Sequence, residues 1–326
     1  MSNNGIAINQ HYVPQFLLKH FTFGKKDHIW CFDKHTGKKF QSAVRNVAAE
    51  RGFYNFGGNA VEGSLEPYMG RIEDLAAPII KKIVSQSSIQ ELSDGERLHL
   101  SAFLAAQFLR TNAYRAMIED TLEQLERRLA SVGIDKEQTN LAGMGDNEKA
   151  AKHISLKSLL EVKEYIGYFY GRDWHLQKAP KTGSLYIGDN PVVLHNSNPP
   201  KGIWGNLGLA LRGVQIYISL SDELVLSMWC PSILDKFRKE EEANKVMPPL
   251  ARLILQEKLA FKKKMLEDLT ISKLVQMSSD NVIHHNYLQV AFAERYIYSS
   301  KDNFDLVEDI LKNQPELRRG MRMRVG

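Results

Sequence analysis

The apolar positions of this chain change period along its length. Alternating and short continuous apolar runs mark strands within 28–54 and 174–228, and helical spacing governs most of what lies between and after them. From Leu65 to Val84, the residues Leu65, Met69, Ile72, Leu75, Ile79 and Ile83 recur at helical spacing, with Ser64 in the N-cap position. Pro67 suits a first turn, whereas Pro78 is expected to kink or interrupt that helix. Ser93 and Glu96 form a capping box that opens a helix expected to run to about Ala130. Leu100, Phe103, Leu104, Gln107, Thr111, Tyr114 and Ile118 share its inward stripe. Residues 131–147, with Gly133, Gly143 and Gly145, read as a flexible loop or insertion, and a further helix is expected from about Glu148 to Tyr170.

Before these helices, His28–Asp33 and Lys38–Ser42 flank Lys34-His35-Thr36-Gly37 as a β-hairpin. After them come five short strand-like runs, at Trp174–Gln177, Leu185–Ile187, Val192–Leu194, Val214–Ile218 and Glu223–Met228, divided by turns such as Asn198-Pro199-Pro200. No helix separates them, so the sheet should be antiparallel or mixed and not doubly wound. Helices return after Pro231, and Ser272–Arg295 reads as a closing helix or helix pair that delivers an edge strand near Tyr296. The expected class is α+β, predominantly helical with a small antiparallel or mixed sheet.

Composition narrows the setting. Of 326 residues, 43% are apolar and 25% charged, enough for a substantial core. The net charge of +5 is too small to imply nucleic acid by itself, and the clusters Lys262-Lys263-Lys264 and Arg318, Arg319, Arg322 and Arg324 fit solvated faces. Cys31 and Cys230 have no metal-binding spacing and suit a reducing cytosol. The first residues lack the charge and apolar core of a signal peptide, and no apolar run reaches membrane-spanning length, so a cytoplasmic protein is expected.

Candidate chemistry centres on Tyr186-Ile187-Gly188-Asp189-Asn190-Pro191-Val192, where a strand meets an Asp-Asn-Pro turn. Asp189 at a strand end is either a presented carboxylate or the closure of a local Asx-turn. His11 lies just ahead of a short helix begun by Pro14, where the helix terminus would keep its imidazole neutral. Glu50 is a second acid that folding could bring to Asp189, or an exposed glutamate paired with an arginine. Gln107 and Arg110 occupy an inward helix face and need partners. For Arg110 these could be Asp189, Glu50 or a bound anion. Asn286 likewise places an amide on an apolar stripe with Val290 and Ala293. His284 and His285 are adjacent, so they point apart and do not make the same-face pair of a zinc-binding helix.

His-Tyr-Val-Pro-Gln-Phe at 11–16, Gln107 with Arg110, Gly-Asp-Asn-Pro-Val at 188–192, Ile-Ser-Leu-Ser at 218–221, and Asn286 with Ala-Glu-Arg-Tyr-Ile-Tyr at 293–298 resemble a bacterial family of uncharacterised domains known for its HYVP motif. The resemblance spans nearly the whole chain and implies one domain over 1–326 of a bacterial or phage-related protein, without an activity to carry over. Residue chemistry suggests a metal-assisted phosphodiester hydrolase, a nuclease of defence or toxin type. His11, Glu50 and Asp189 would hold magnesium or manganese, with His11 alternatively a general base. Arg110, Gln107, Asn190 and Asn286 would bind the nucleic-acid or nucleotide substrate. The rival is a non-catalytic ligand-binding or sensor module in which the same residues form a buried network.

Overall fold

The computed structural model describes residues 7–24, 26–56, 63–139, 146–198 and 207–322. Gly143, Gly145, Pro199, Pro200 and Arg324 lie outside them. β1 (Asn9–His11) pairs antiparallel with β4 (Ala49–Arg51), and Pro14 precedes the one-turn helix α1 (Gln15–Leu18). β2 (His28–Asp33) and β3 (Lys38–Ala43) form the expected hairpin, turned at Gly37 with φ +72°. Five helices follow: α2 (Glu66–Gln86), α3 (Asp94–Leu109), α4 (Asn112–Ser131), α5 (Asn147–Leu160) and α6 (Lys163–Tyr170). The second half contains β5 (Asp173–Lys178), β6 (Ile187–Gly188), β7 (Val193–Asn196), β8 (Val214–Ser219) and β9 (Leu224–Trp229). Then come α7 (Pro231–Lys245), α8 (Pro249–Ile254), α9 (Gln256–Glu267), β10 (Leu274–Gln276), α10 (Ser279–Phe292), β11 (Tyr296–Ser299) and α11 (Asp305–Asn313). The class is α+β, with a two-stranded sheet, a five-stranded mixed sheet and a four-stranded antiparallel sheet among the described residues.

Several expected boundaries moved for local reasons. α2 runs through Pro78, because the carbonyl that proline leaves without a donor belongs to Asp74, on the exposed side. Leu65, not Ser64, holds its N-cap position. The helix opened by the Ser93 capping box ends at Arg110, and Thr111 adopts extended backbone and caps α4 through Tyr114 N. The helix expected over 148–170 divides at Glu161 and Val162. The segment read as a closing helix or helix pair starts instead with β10, lying parallel to β5, and Ser278 then caps α10. β11 is not an edge strand: the sheet order β3-β2-β11-β6 puts it between the N-terminal hairpin and the strand leading to Asp189.

Alternation decides which faces are buried against what. In β8, Val214, Ile216 and Ile218 enter the largest core cluster with Leu226 and Met228 of β9, Leu104 of α3 and Phe169 of α6. Each such side chain contributes about 1.5–3 kcal/mol on full burial. Gln215, Tyr217 and Ser219 therefore face the other way, toward α10, whose Val282 and Leu288 pack with Tyr217, Val193 and Val225. The four-stranded sheet behaves alike: Tyr298 joins the large cluster, while Ile297 and Phe32 pack under Val307, Ile310 and Leu311 of α11.

Candidate functional site

The Asp-Asn-Pro turn is saturated by the chain itself. Asp189 is buried, and its carboxylate accepts from the backbone N–H groups of Glu294 (2.7 Å), Arg295 (2.8 Å) and Tyr296 (2.9 Å). Its own N–H donates to the Tyr296 carbonyl. Burial pushes the carboxyl up to about 6, while the three N–H groups and nearby Lys34 pull it down. It therefore closes neither a local Asx-turn nor an open site; it fixes the segment between α10 and β11, more than one hundred residues away. Asn190 donates to the Phe292 carbonyl and accepts from the Thr111 hydroxyl. Asn286 accepts from Tyr186 N–H and donates to the Ser184 carbonyl. Gln289, which sequence reasoning passed over, does the same for Gly188 and Pro191. These amides stitch α10 to the turn.

A second polar centre forms where β1, α2 and the α3–α4 break meet. Arg110 is buried, and at the end of α3 it donates from Nε to Gln107 (2.9 Å) and from Nη1 to Glu73 (2.5 Å). Gln107 in turn donates to the Tyr12 carbonyl, tying the His-Tyr-Val-Pro segment to this helix. Burial works against the Arg110 charge, but Tyr54 and Glu73 outweigh it and raise the pKa. Its Nη2 has no hydrogen-bond partner among the described residues. The sequence leaves Asp189, Glu50 or a bound anion as partners; the carboxylate that pairs with Arg110 is Glu73.

His11 borders this centre. Its Nε2 is buried and finds no partner among the described residues. Burial lowers its pKa, against the pull of Glu73 and of the backbone at Arg45 and Val44. A lowered pKa favours the neutral form expected from sequence, with burial and not a helix terminus as its leading cause. Glu66, also on α2, is pushed up to about 7, first by burial and then by Glu73, with Arg110 opposing. Glu66 and Glu73 are two helical turns apart, about 10.5 Å of rise. They lie on the stripe of Met69, Ala76, Ile80 and Ile83, which are buried. That spacing was the signal in the sequence: two acids on a stripe otherwise given to the core.

Glu50 stands apart. It is exposed in β4, opposite Gln10, and its nearest charge partner is Arg115 at 3.7 Å. Because His11 opposes Ala49, the side chains of His11 and Glu50 leave opposite faces of the two-stranded sheet. Among the described residues no three His, Cys, Asp or Glu side chains are placed to hold a metal ion. His11, Glu50 and Asp189 are thus not gathered into the metal triad expected from sequence, and a magnesium or manganese ion does not fit them. Lys34, also unanticipated, is fully buried and donates to the Val290 and Ala293 carbonyls at 2.6 and 2.5 Å. Burial pulls its pKa down to about 8. Arg322 forks onto Glu294, and Arg318 donates to the Lys34 carbonyl, so this part of the C-terminal arginine cluster is engaged and not freely solvated.

No helix among the described residues is long and apolar enough to cross a membrane. No curated protein and no solved structure matches the chain. Residues 9–303 match a family described as a protein of unknown function, DUF4238, and this range takes in both polar centres. With that match extending from β1 through β11, the chain belongs to the DUF4238 family of uncharacterised domains.

Proposed function

We propose that the chain is a hydrolase of phosphodiesters, a nuclease of bacterial defence or toxin type, and that it works through His11, Glu66, Glu73 and Arg110. The observation that carries this reading is the unlike environment of two glutamates on one helix face. Glu73 is ion-paired with Arg110, while burial raises the Glu66 carboxyl to about 7, poised to give a proton near neutrality. Nearby, His11, its pKa lowered by burial, offers a nitrogen without a partner among the described residues. In hydrolysis, His11 accepts the proton of the attacking water as its oxygen bonds to phosphorus. Glu66 gives its proton to the leaving oxygen as the other P–O bond breaks, and solvent exchange restores both groups. Arg110 Nη2, without a hydrogen-bond partner among the described residues, is the complement to phosphate charge. No step is assigned to magnesium or manganese, for which the residues do not fit. Two free cysteines and the HYVP resemblance favour a bacterial cytosol.

The competing reading, a non-catalytic ligand-binding or sensor module, draws on the saturation of Asp189, Asn190 and Asn286 by backbone. Labelled single- and double-stranded oligonucleotides incubated at neutral pH separate the two. Cleavage by the native chain should fall about 100-fold or more in Glu66→Gln and in His11→Gln, with the melting temperature of Glu66→Gln not lowered. Native rates in both variants, or no cleavage by the native protein, sink the hydrolase.

A further inference from the structure

The face of the five-stranded sheet turned toward α10 is unusually polar for a covered face. Register places Gln177 and His175 of β5, Trp229 of β9, Gln215 and Tyr217 of β8 and His195 of β7 on it. A buried polar group left without a partner is costly, so such a face calls for a purpose. Between it, α10, the end of α9 and the segment that follows lies a cavity of about 310 Å³. Gln177, Gln215, Tyr217, Trp229 and His195 form its floor, His284 and His285 one wall, and Met265, Leu269 and Val275 the apolar side.

The lining selects by charge. Among the described residues no Lys, Arg, Asp or Glu lines it, and burial lowers the pKa of both His195 and His284, which favours a neutral lining at neutral pH. A phosphate or carboxylate would find no counter-charge, and a cation no acid. Directional groups are nevertheless fixed. The Tyr217 hydroxyl donates to Gln215 Oε1, which leaves that amide's NH₂ to donate elsewhere. The Ser219 hydroxyl gives its proton to the Tyr186 carbonyl at 2.7 Å, so at 2.6 Å it accepts from His285 Nε2. His285 Nδ1 is then a bare acceptor, and it has no partner among the described residues although the residue is only 3% exposed. Rings supply flat surfaces: His195 and His284 meet edge to face at 4.7 Å, and His175 buttresses Trp229 at 4.5 Å.

We propose that this cavity binds a free, uncharged nucleoside, its base held against the aromatic and imidazole rings and its edge read by Gln177, Gln215 and His285. A planar heteroaromatic with donors and acceptors but no charge is the ligand that this lining accepts, and the cavity is at the lower end of the usual range for small-molecule sites. The site is separate from the centre around His11 and does not depend on the hydrolase reading.

Calorimetry and thermal shift with adenosine, guanosine, cytidine and uridine, their 5′-monophosphates and zinc chloride test it on the full chain. At least one nucleoside should bind and raise the melting temperature, with an affinity indifferent to salt, and its monophosphate should bind about tenfold more weakly or worse. Gln215→Leu and Gln177→Leu should each weaken binding about tenfold, and Gln177→Leu should leave the ligand-free melting temperature within a degree or two. The proposal is overturned if no nucleoside binds, if binding survives both substitutions, or if zinc alone stabilises the chain and His195→Ala abolishes that effect.

Discussion

Replacing Asp189 by Asn keeps the shape of the side chain and removes one acceptor, which makes it the sharpest probe of the turn. In the native chain one carboxylate oxygen takes the Glu294 N–H and the other takes those of Arg295 and Tyr296. An asparagine can turn its oxygen to the pair, but its NH₂ then opposes the Glu294 N–H. One charge-assisted bond, about 1.5–3 kcal/mol, is lost, and a buried N–H is left unsatisfied at about 1–3 kcal/mol. Relief from burying a charge offsets part of this, since burial pushes the native carboxyl up to about 6. A net loss of about 2–4 kcal/mol is expected. With an unfolding entropy of about 2.1 cal/mol/K per residue, 326 residues give about 0.7 kcal/mol/K, so the melting temperature should drop by about 3–6 °C. Differential scanning calorimetry at neutral pH reads this directly. A melting temperature unchanged within a degree, together with loss of cleavage, would refute the structural assignment and return Asp189 to the chemistry.

Three further substitutions probe other contacts. Thr111→Val removes both the cap on Tyr114 N and the bond to Asn190, and should cost about 1–2 kcal/mol in urea unfolding, with the m-value unchanged. Gly188→Ala would set a Cβ 3.0 Å from the Ala293 Cβ and 3.1 Å from the Gln289 carbonyl. Overpacking of about 1–3 kcal/mol is expected, measured as a lower melting temperature, and a neutral result would show that α10 can yield. Glu66 has a folded pKa raised from 4.5 to about 7, so its stabilising contribution is complete below about 4.5 and is lost as pH rises through about 7. The full shift corresponds to about 3.4 kcal/mol, and its partial exposure reduces this to about 1–2 kcal/mol. In Glu66→Gln that part of the pH dependence should vanish from the stability profile.

Most elements were legible because their periods are strong: the inward stripe of α3, the alternation of β8 and β9, and the capping box at Ser93 all stand as the residues imply. β10 was missed because three residues, Leu274, Val275 and Gln276, carry too little period to overrule the helical pattern around them. The site was legible in its members more than in its pairings. Gln107, Arg110 and Asn286 stand out in the sequence as polar groups needing partners, and each has at least one, while Asn190, expected at a substrate, is bonded to Thr111 and Phe292. Which partner depends on tertiary approach: Arg110 meets Glu73, and Asp189 meets backbone N–H groups that no side-chain identity reveals. Glu66 and Glu73 were detectable in principle, as acids on a buried stripe.

The position of β11 sets an order of events for a chain made from its N-terminus. β2 and β3 can pair as soon as they are synthesised, but the other edge of β2 stays open until Tyr296–Ser299 arrives to pair with Asp33–Trp30. The same late strand brings the N–H groups for Asp189 and the fork of Arg295 on Asp33. Until then Ile29 and Phe32 belong to a strand with an unpaired edge, open to wrong pairing. Refolding limited by so remote a closure should be slow for a protein rich in helix, and a chain stopped before Arg295 should aggregate instead of forming a shorter native domain.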